Sequence, residues 1–241
     1  SQPATGGEAI IRYEPVGPCG AIIPWNMPAL IMAWKAAPAL LAGNPVILKP
    51  SSTASLTIIA LSALMEQAGL PPGTLNVVTG TGREAGEALA RERSIRVLSF
   101  TGSTETGETV RELASRRGTT VTCELGGSDP MVVMLDADPD AAVQGAVNGR
   151  FYNAGQVCSA VKRLYVHEQI AQKVISRLEK AVAKLPYGNG LDPATRMGPL
   201  NNLPGKEHIG NLLDSERQRS EGNVKVLGVS GSGVTEKGYF Q

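Results

Sequence analysis

Apolar runs of strand length alternate with segments of helical period along the chain as far as about Leu185, and this alternation restricts the fold more than any other feature. Strands separated by helix-length connections are what a parallel α/β sheet requires, with the helices covering its faces. Cys19 to Ile23 reads as a strand, and Pro28 to Leu41 as a helix stopped by Gly43. Pro45 to Lys49 is a buried strand, after which Ser51 or Ser52 caps a helix to about Ala68, closed by Gly69 and the Pro71-Pro72-Gly73 turn. The unit then repeats. Leu75 to Thr79 is a strand, Glu84 to Arg91 a helix, Ile95 to Phe100 a strand, Thr104 to Ser115 a helix and Thr119 to Leu125 a strand. About five strands with helical crossovers make a Rossmann-like, nucleotide-binding parallel sheet.

Gly126-Gly127 marks a change of register, so the expected domains are 1–125, nucleotide-binding, and 126–241, a second α/β domain carrying catalysis. The second series begins with Pro130 to Met134 as a strand and Pro139 to Tyr152 as a helix. Arg163 to Val166 reads as a strand and Gln169 to Lys184 as a helix. Beyond Leu185 the chain turns polar, with a helix near Lys206 to Arg217 and a short strand at Val224 to Leu227.

Composition excludes several classes of partner. A net charge of +1 offers nothing to nucleic acid or an anionic membrane, and the longest apolar stretch, Ala29 to Ala42, is broken by Lys35 and Pro38. Three cysteines with no Cys-x-x-Cys spacing argue against a disulfide framework or a structural zinc site and point to a reducing, cytoplasmic setting. No metal is expected. The first residues show no secretory pattern, and the chain lacks an initiator Met.

Three motifs carry candidate chemistry. Cys158 ends Asn153-Ala154-Gly155-Gln156-Val157-Cys158, where a glycine permits close backbone approach and amide dipoles can favour a thiolate. A free cysteine more often packs as a small hydrophobe, which is the reading for Cys19 and Cys123. Glu124 ends a strand before Leu125-Gly126-Gly127, at the edge where α/β sheets bind ligands, and is a candidate general base. Asn26 stands between Pro24-Trp25 and Met27-Pro28; restricted neighbours can hold its amide in one orientation, as an oxyanion requires. The bland alternatives are a salt-bridging glutamate and a turn asparagine.

Two glycine-rich turns could approach phosphates. Gly80 to Gly86 has the spacing Gly-x-Gly-x-x-x-Gly, a weak match to a dinucleotide fingerprint, whereas Gly102-Ser103 falls at a helix start, where amides favour an anion. His167 and His208 are isolated. Lys35 is read as a snorkelling side chain and Arg163 as a surface charge opening a strand.

Together these motifs resemble the aldehyde dehydrogenase superfamily. So do Pro15 to Pro18, Trp34 to Asn44, Leu48 to Ser51, Gly69 to Asn76, Phe100 to Ser103 and Met197 to Leu200, in that order from about Tyr13 to Leu200. The resemblance implies NAD(P)-dependent oxidation of an aldehyde to a carboxylate. Cys158 is then the nucleophile, Asn26 with the Cys158 N–H the oxyanion site, and Glu124 the base that releases the thioester to water. It also implies cofactor contacts at Ile23, Pro24, Trp25, Lys49, Ser52, Gly102, Ser103, Leu125 and Gly126. A glutamate often stands at the Ser52 position in members that prefer NAD; a hydroxyl there accepts a 2′-phosphate, so NADP is expected to be used. The run through Cys158 to Arg163 looks most like members acting on small hydroxyaldehydes or semialdehydes.

Full-length members extend further at both ends, so the resemblance makes this a central fragment. On that resemblance an amino-terminal arm and the Glu-x-Phe-Gly-Pro segment are expected to be missing, and the catalytic domain to be cut after Tyr239-Phe240. Members commonly form dimers or tetramers, with the Thr104 to Ser115 helix in the region of dimer contact. Two other readings stay open: a truncated, non-catalytic nucleotide-binding relative, and an acylating or esterase-like enzyme that handles a thioester on Cys158.

Overall fold

The computed structural model describes residues 10–219. The strand expected at Val224 to Leu227 and the terminus at Tyr239-Phe240 lie outside the described residues. The chain divides into two compact units, the division falling between Gly126 and Gly127.

The first unit runs β1 (Cys19–Ile22), α1 (Pro28–Leu41), β2 (Val46–Lys49), α2 (Ser55–Gln67), β3 (Leu75–Val77), α3 (Glu87–Arg91), β4 (Val97–Thr101), α4 (Thr104–Ser115) and β5 (Thr120–Glu124). Its sheet has the order β3-β2-β1-β4-β5, with every neighbouring pair parallel. The chain builds outward from β1 through β2 to β3 and then returns to place β4 on the other side of β1. The strand order therefore reverses at β1, and the crevice at its carboxyl end is where such sheets bind ligands.

Alternation along the strands supplies two cores. Ala21, Ile23 and Leu48 pack with Ile31 and Met32 of α1 and Ile58 of α2. Ile22, Leu98 and Phe100 point the other way and pack with Leu89, Val110 and Ala114. Gly43 (φ +79°) and Gly69 (φ +101°) hold the left-handed conformation that ends α1 and α2. Both helices are apolar on their outer sides as well: Trp34 is 65% exposed, Leu41 92% and Leu56 81%.

Two expected boundaries move for identifiable reasons. Helix α2 begins at Ser55, behind Ala54, which gives no side-chain cap, so neither Ser51 nor Ser52 caps it. The Ser51 hydroxyl is used earlier, accepting the Thr53 N–H at 3.4 Å while Ala54 N–H reaches the Ser51 carbonyl at 3.1 Å. This local turn competes with capping. The helix expected from Glu84 opens instead with a π-helical turn over Gly82–Gly86, where the Thr81 hydroxyl accepts the Glu84 N–H, and only Glu87–Arg91 is α-helical.

The second unit contains β6 (Asp129–Val133), α5 (Pro139–Phe151), a 3₁₀ turn at Tyr152–Gly155, β7 (Val161–Val166), α6 (Glu168–Ala183) and α7 (Leu203–Arg219). Strands β6 and β7 pair in parallel around the α5 crossover. Asp138 caps α5 by accepting the Asp140 N–H at 2.8 Å, with Pro139 in the first turn. Val143 and Val147 of α5 meet Val174 of α6 in a small core. Strand β7 opens at Val161, two residues before Arg163. Among the described residues no helix is long and apolar enough to cross a membrane.

Candidate active site

Because the first sheet is parallel, its strands deliver most of the candidate residues to one edge. The register pairs Ile22 with both Lys49 and Phe100, and Thr101 with Glu124. Hence Ile23 to Asn26, Lys49 to Ser52, Gly102-Ser103 and Glu124 to Gly126 all follow the carboxyl ends of neighbouring strands. Ile23 is buried in the core, so only its backbone is available to a ligand. Lys49 is 4% exposed, and burial pulls its amine below the ordinary lysine value. Ser103 is the residue before α4; its hydroxyl accepts the Thr106 N–H at 3.3 Å, as expected of a helix start. Gly102 has no room for a side chain, since a Cβ there would lie 2.5 Å from Phe100 Cζ. Ser52 and Glu124 are exposed and Asn26 is half-buried.

Lys35 departs from its sequence reading. It does not snorkel to water; its amine donates to Ser99 Oγ at 2.7 Å, and that oxygen also accepts the Thr122 hydroxyl at 3.0 Å. Burial lowers its pKa from 10.5 to about 8, and the nearby charges of Glu124 and then Cys123 oppose the shift. The placement was readable from spacing: position 35 falls on the same helical stripe as Ile31, Met32 and Ala36, all buried. Between pH about 8 and 10.5 the unfolded chain holds a proton on Lys35 that the folded chain has lost, so folding strengthens as pH rises through that window. Urea unfolding from pH 7 to 11 is expected to show this rise, at most about 2 kcal/mol because solvent screens a partly exposed amine, in the wild type relative to Lys35→Met. Parallel curves would refute it.

In the second unit Cys158 is a free, exposed thiol. It occupies the tight turn closed by Ala160 N–H donating to the Val157 carbonyl at 3.1 Å. The approach to it is backbone in reverse hand: Asn153 (φ 50°), Ala154 (φ 56°) and Gly155 (φ 75°) are all left-handed. Asparagine and glycine tolerate that region, whereas Ala154 carries strain on the order of 1 kcal/mol. At Gly155 a Cβ would also lie 2.9 Å from the Arg150 carbonyl oxygen. The Gln156 side chain braces the segment, donating to the Asn153 carbonyl at 2.9 Å and accepting the Asn201 N–H at 2.9 Å.

Two flanking cations proved structural in ways the sequence had not disclosed. Lys162 Nζ turns back onto the carbonyls of Cys158, Ala160 and Val157 at 3.0, 3.3 and 3.4 Å. Arg163 lies within β7 and is exposed, as the surface reading expected, while its guanidinium is tied down by donating twice to the Ser128 carbonyl, at 2.6 and 3.0 Å. His167 accepts the Gln169 N–H on Nδ1 at 3.3 Å and so caps α6. Cys19 and Cys123 are half-buried in the first unit; burial raises the Cys19 thiol's pKa, and Cys123 packs against the Leu98–Val110 core. Among the described residues no group of three or more His, Cys, Asp or Glu is placed to hold a metal ion.

Comparison with known proteins gives a consistent result. The profile of the aldehyde dehydrogenase family matches residues 1–241. The chain is 42% identical to retinaldehyde dehydrogenase 3 of Mus musculus over 230 residues, 95% of this chain and 44% of that protein. It is 42% identical to phenylacetaldehyde dehydrogenase of Pseudomonas fluorescens over 238 residues, 99% of this chain and 47% of that one. Among solved structures, betaine aldehyde dehydrogenase of Staphylococcus aureus in complex with NAD+ superposes with a TM-score of 0.83 at 39% identity, covering 86% of this chain and 41% of that one. The chain thus spans a little less than half the length of these relatives.

Proposed function

The chain belongs to the aldehyde dehydrogenase family, and on that premise we propose that it carries the nucleophile, base and cofactor contacts for oxidising an aldehyde to a carboxylate. The exposed Cys158 thiol, held on a turn built by its own motif, carries this reading. Cys158 Sγ, having given its proton to water, attacks as the thiolate at the aldehyde carbon, and the carbonyl electrons move to oxygen. The Asn26 side-chain amide and the Cys158 N–H stabilise that oxyanion. NAD(P), when bound, would supply the hydride acceptor. Loss of hydride leaves a thioester on Cys158; Glu124 takes a proton from water, the resulting hydroxide attacks, and the carboxylate leaves as the thiolate returns.

The residues present suit a dinucleotide. Lys49 is a buried cation at the edge where β2 ends, and Ser103 with the first amides of α4 offers donors to a pyrophosphate. Ser52, exposed beyond Lys49, carries a hydroxyl and no negative charge of its own to repel a 2′-phosphate. NADP is therefore expected to serve, and Ser52→Glu to lower kcat/KM for NADP by about tenfold or more while sparing NAD. A wild-type preference for NAD above about a hundredfold, some 2.7 kcal/mol, would contradict this. The substrate proposed from the Cys158 to Arg163 run is a small hydroxyaldehyde or semialdehyde. Both proposals are tested by mixing the chain with NADP or NAD and a panel of short aldehydes and following absorbance of the reduced nicotinamide. No reduction with any pair would defeat the proposed activity.

A further inference from the structure

We propose that Lys162 is a positioning residue that aims and polarises the peptide group whose N–H faces the oxyanion, an inference that rests on the reading of Cys158 as nucleophile. Lys162 is the second residue of β7, and its side chain folds back so that one ammonium meets three carbonyls of a single turn: Cys158 at 3.0 Å, Ala160 at 3.3 Å and Val157 at 3.4 Å. An ammonium has three donors and no acceptor, so the match in number is complete.

The carbonyls of Val157 and Cys158 belong to the two peptide planes on either side of the Cys158 α-carbon. Each plane is rigid, with its C=O and N–H pointing in opposite directions. A cation gripping the Val157 oxygen therefore sets the direction of the Cys158 N–H. It also draws electron density toward the oxygen, which makes that N–H a stronger donor. The grip on the Cys158 oxygen fixes the second plane and with it the angle at which Sγ leaves the backbone. Closing the turn does not need the lysine, because the Ala160 N–H already bonds to the Val157 carbonyl at 3.1 Å. Lys162 instead places a positive charge behind the donor.

Two reagents that need no cofactor separate this role from simple support of the fold. With p-nitrophenyl acetate, thiolate Sγ bonds to the acetyl carbon and the carbonyl pair moves to oxygen. When that pair returns, p-nitrophenolate leaves, so the step passes through an oxyanion. With iodoacetamide, the S–C bond forms as iodide departs, and no oxyanion arises. Lys162→Met is expected to slow acylation by about tenfold while alkylation changes by less than about twofold, and Lys162→Arg to recover most of the acylation rate. Equal loss in both reactions, or loss in neither, overturns the proposal. If the Met variant melts below assay temperature, Lys162→Gln, which keeps a donor without the charge, takes its place under the same criteria. Cys158→Ala run alongside must abolish both reactions; acylation that survives it refutes the nucleophile itself, a failure distinct from that of the lysine.

Discussion

Cys158→Ala is expected to eliminate aldehyde-dependent reduction of the nicotinamide, a fall of at least about 10⁴ in turnover, because on the proposed assignment no other group takes over the covalent step. The fold should hardly register the change. The thiol is exposed and stands on a turn outside the buried clusters, and substitutions at such positions shift stability by about 0.5 kcal/mol or less. Melting curves measured with the kinetics separate a lost nucleophile from a lost structure. Thiol titration supplies a second check, since of three cysteines only Cys158 is exposed. One fast-reacting thiol per chain is expected in the wild type and none in the variant. Residual turnover above about 0.01% would place the chemistry on another residue.

The second large effect is expected at Glu124, and its signature is a shape more than a rate. On the proposed assignment, Glu124→Gln removes the base for thioester hydrolysis but leaves the nucleophile and the hydride step untouched. Steady turnover should fall by about 10² to 10³, while rapid mixing still shows one reduced nicotinamide formed per Cys158 before the reaction stalls. Disappearance of that burst would mean that Glu124 acts before hydride leaves, and an unchanged steady rate would mean that another group activates water. The substitution also has an electrostatic side effect. Glu124 is the leading charge that keeps the Lys35 amine protonated against burial. Without it Lys35 loses its proton at still lower pH, which couples the base to the Lys35–Ser99–Thr122 chain of hydroxyls.

Much of the first unit could be read directly from the residues. The five strands, the crossovers and the span of α4 from Thr104 to Ser115 follow from periodicity and glycine punctuation, and Gly43 and Gly69 take the left-handed conformation their places require. The misses arose where side chains compete locally. Ser51 satisfies its own turn before α2 begins, and Thr81 nucleates a π-helical turn where α-periodicity alone starts a helix at Glu84. Lys35 was legible in principle, since its spacing puts it on the buried stripe, but its charge suggested solvent. Lys162 and Arg163 were not legible. Each closes a contact with backbone carbonyls, and nothing in a residue pattern records which carbonyls a folded loop turns toward a neighbouring strand.

The bare outer flanks of α1 and α2 bear on how such a chain fares in a cell. The folded first unit presents Trp34, Leu41 and Leu56 to water in two successive helices. Hydrocarbon displayed in this way is what chaperones grip and what draws unfinished chains into aggregates. Yield of dispersed protein would then depend on growth temperature and on folding helpers before any question of turnover arises.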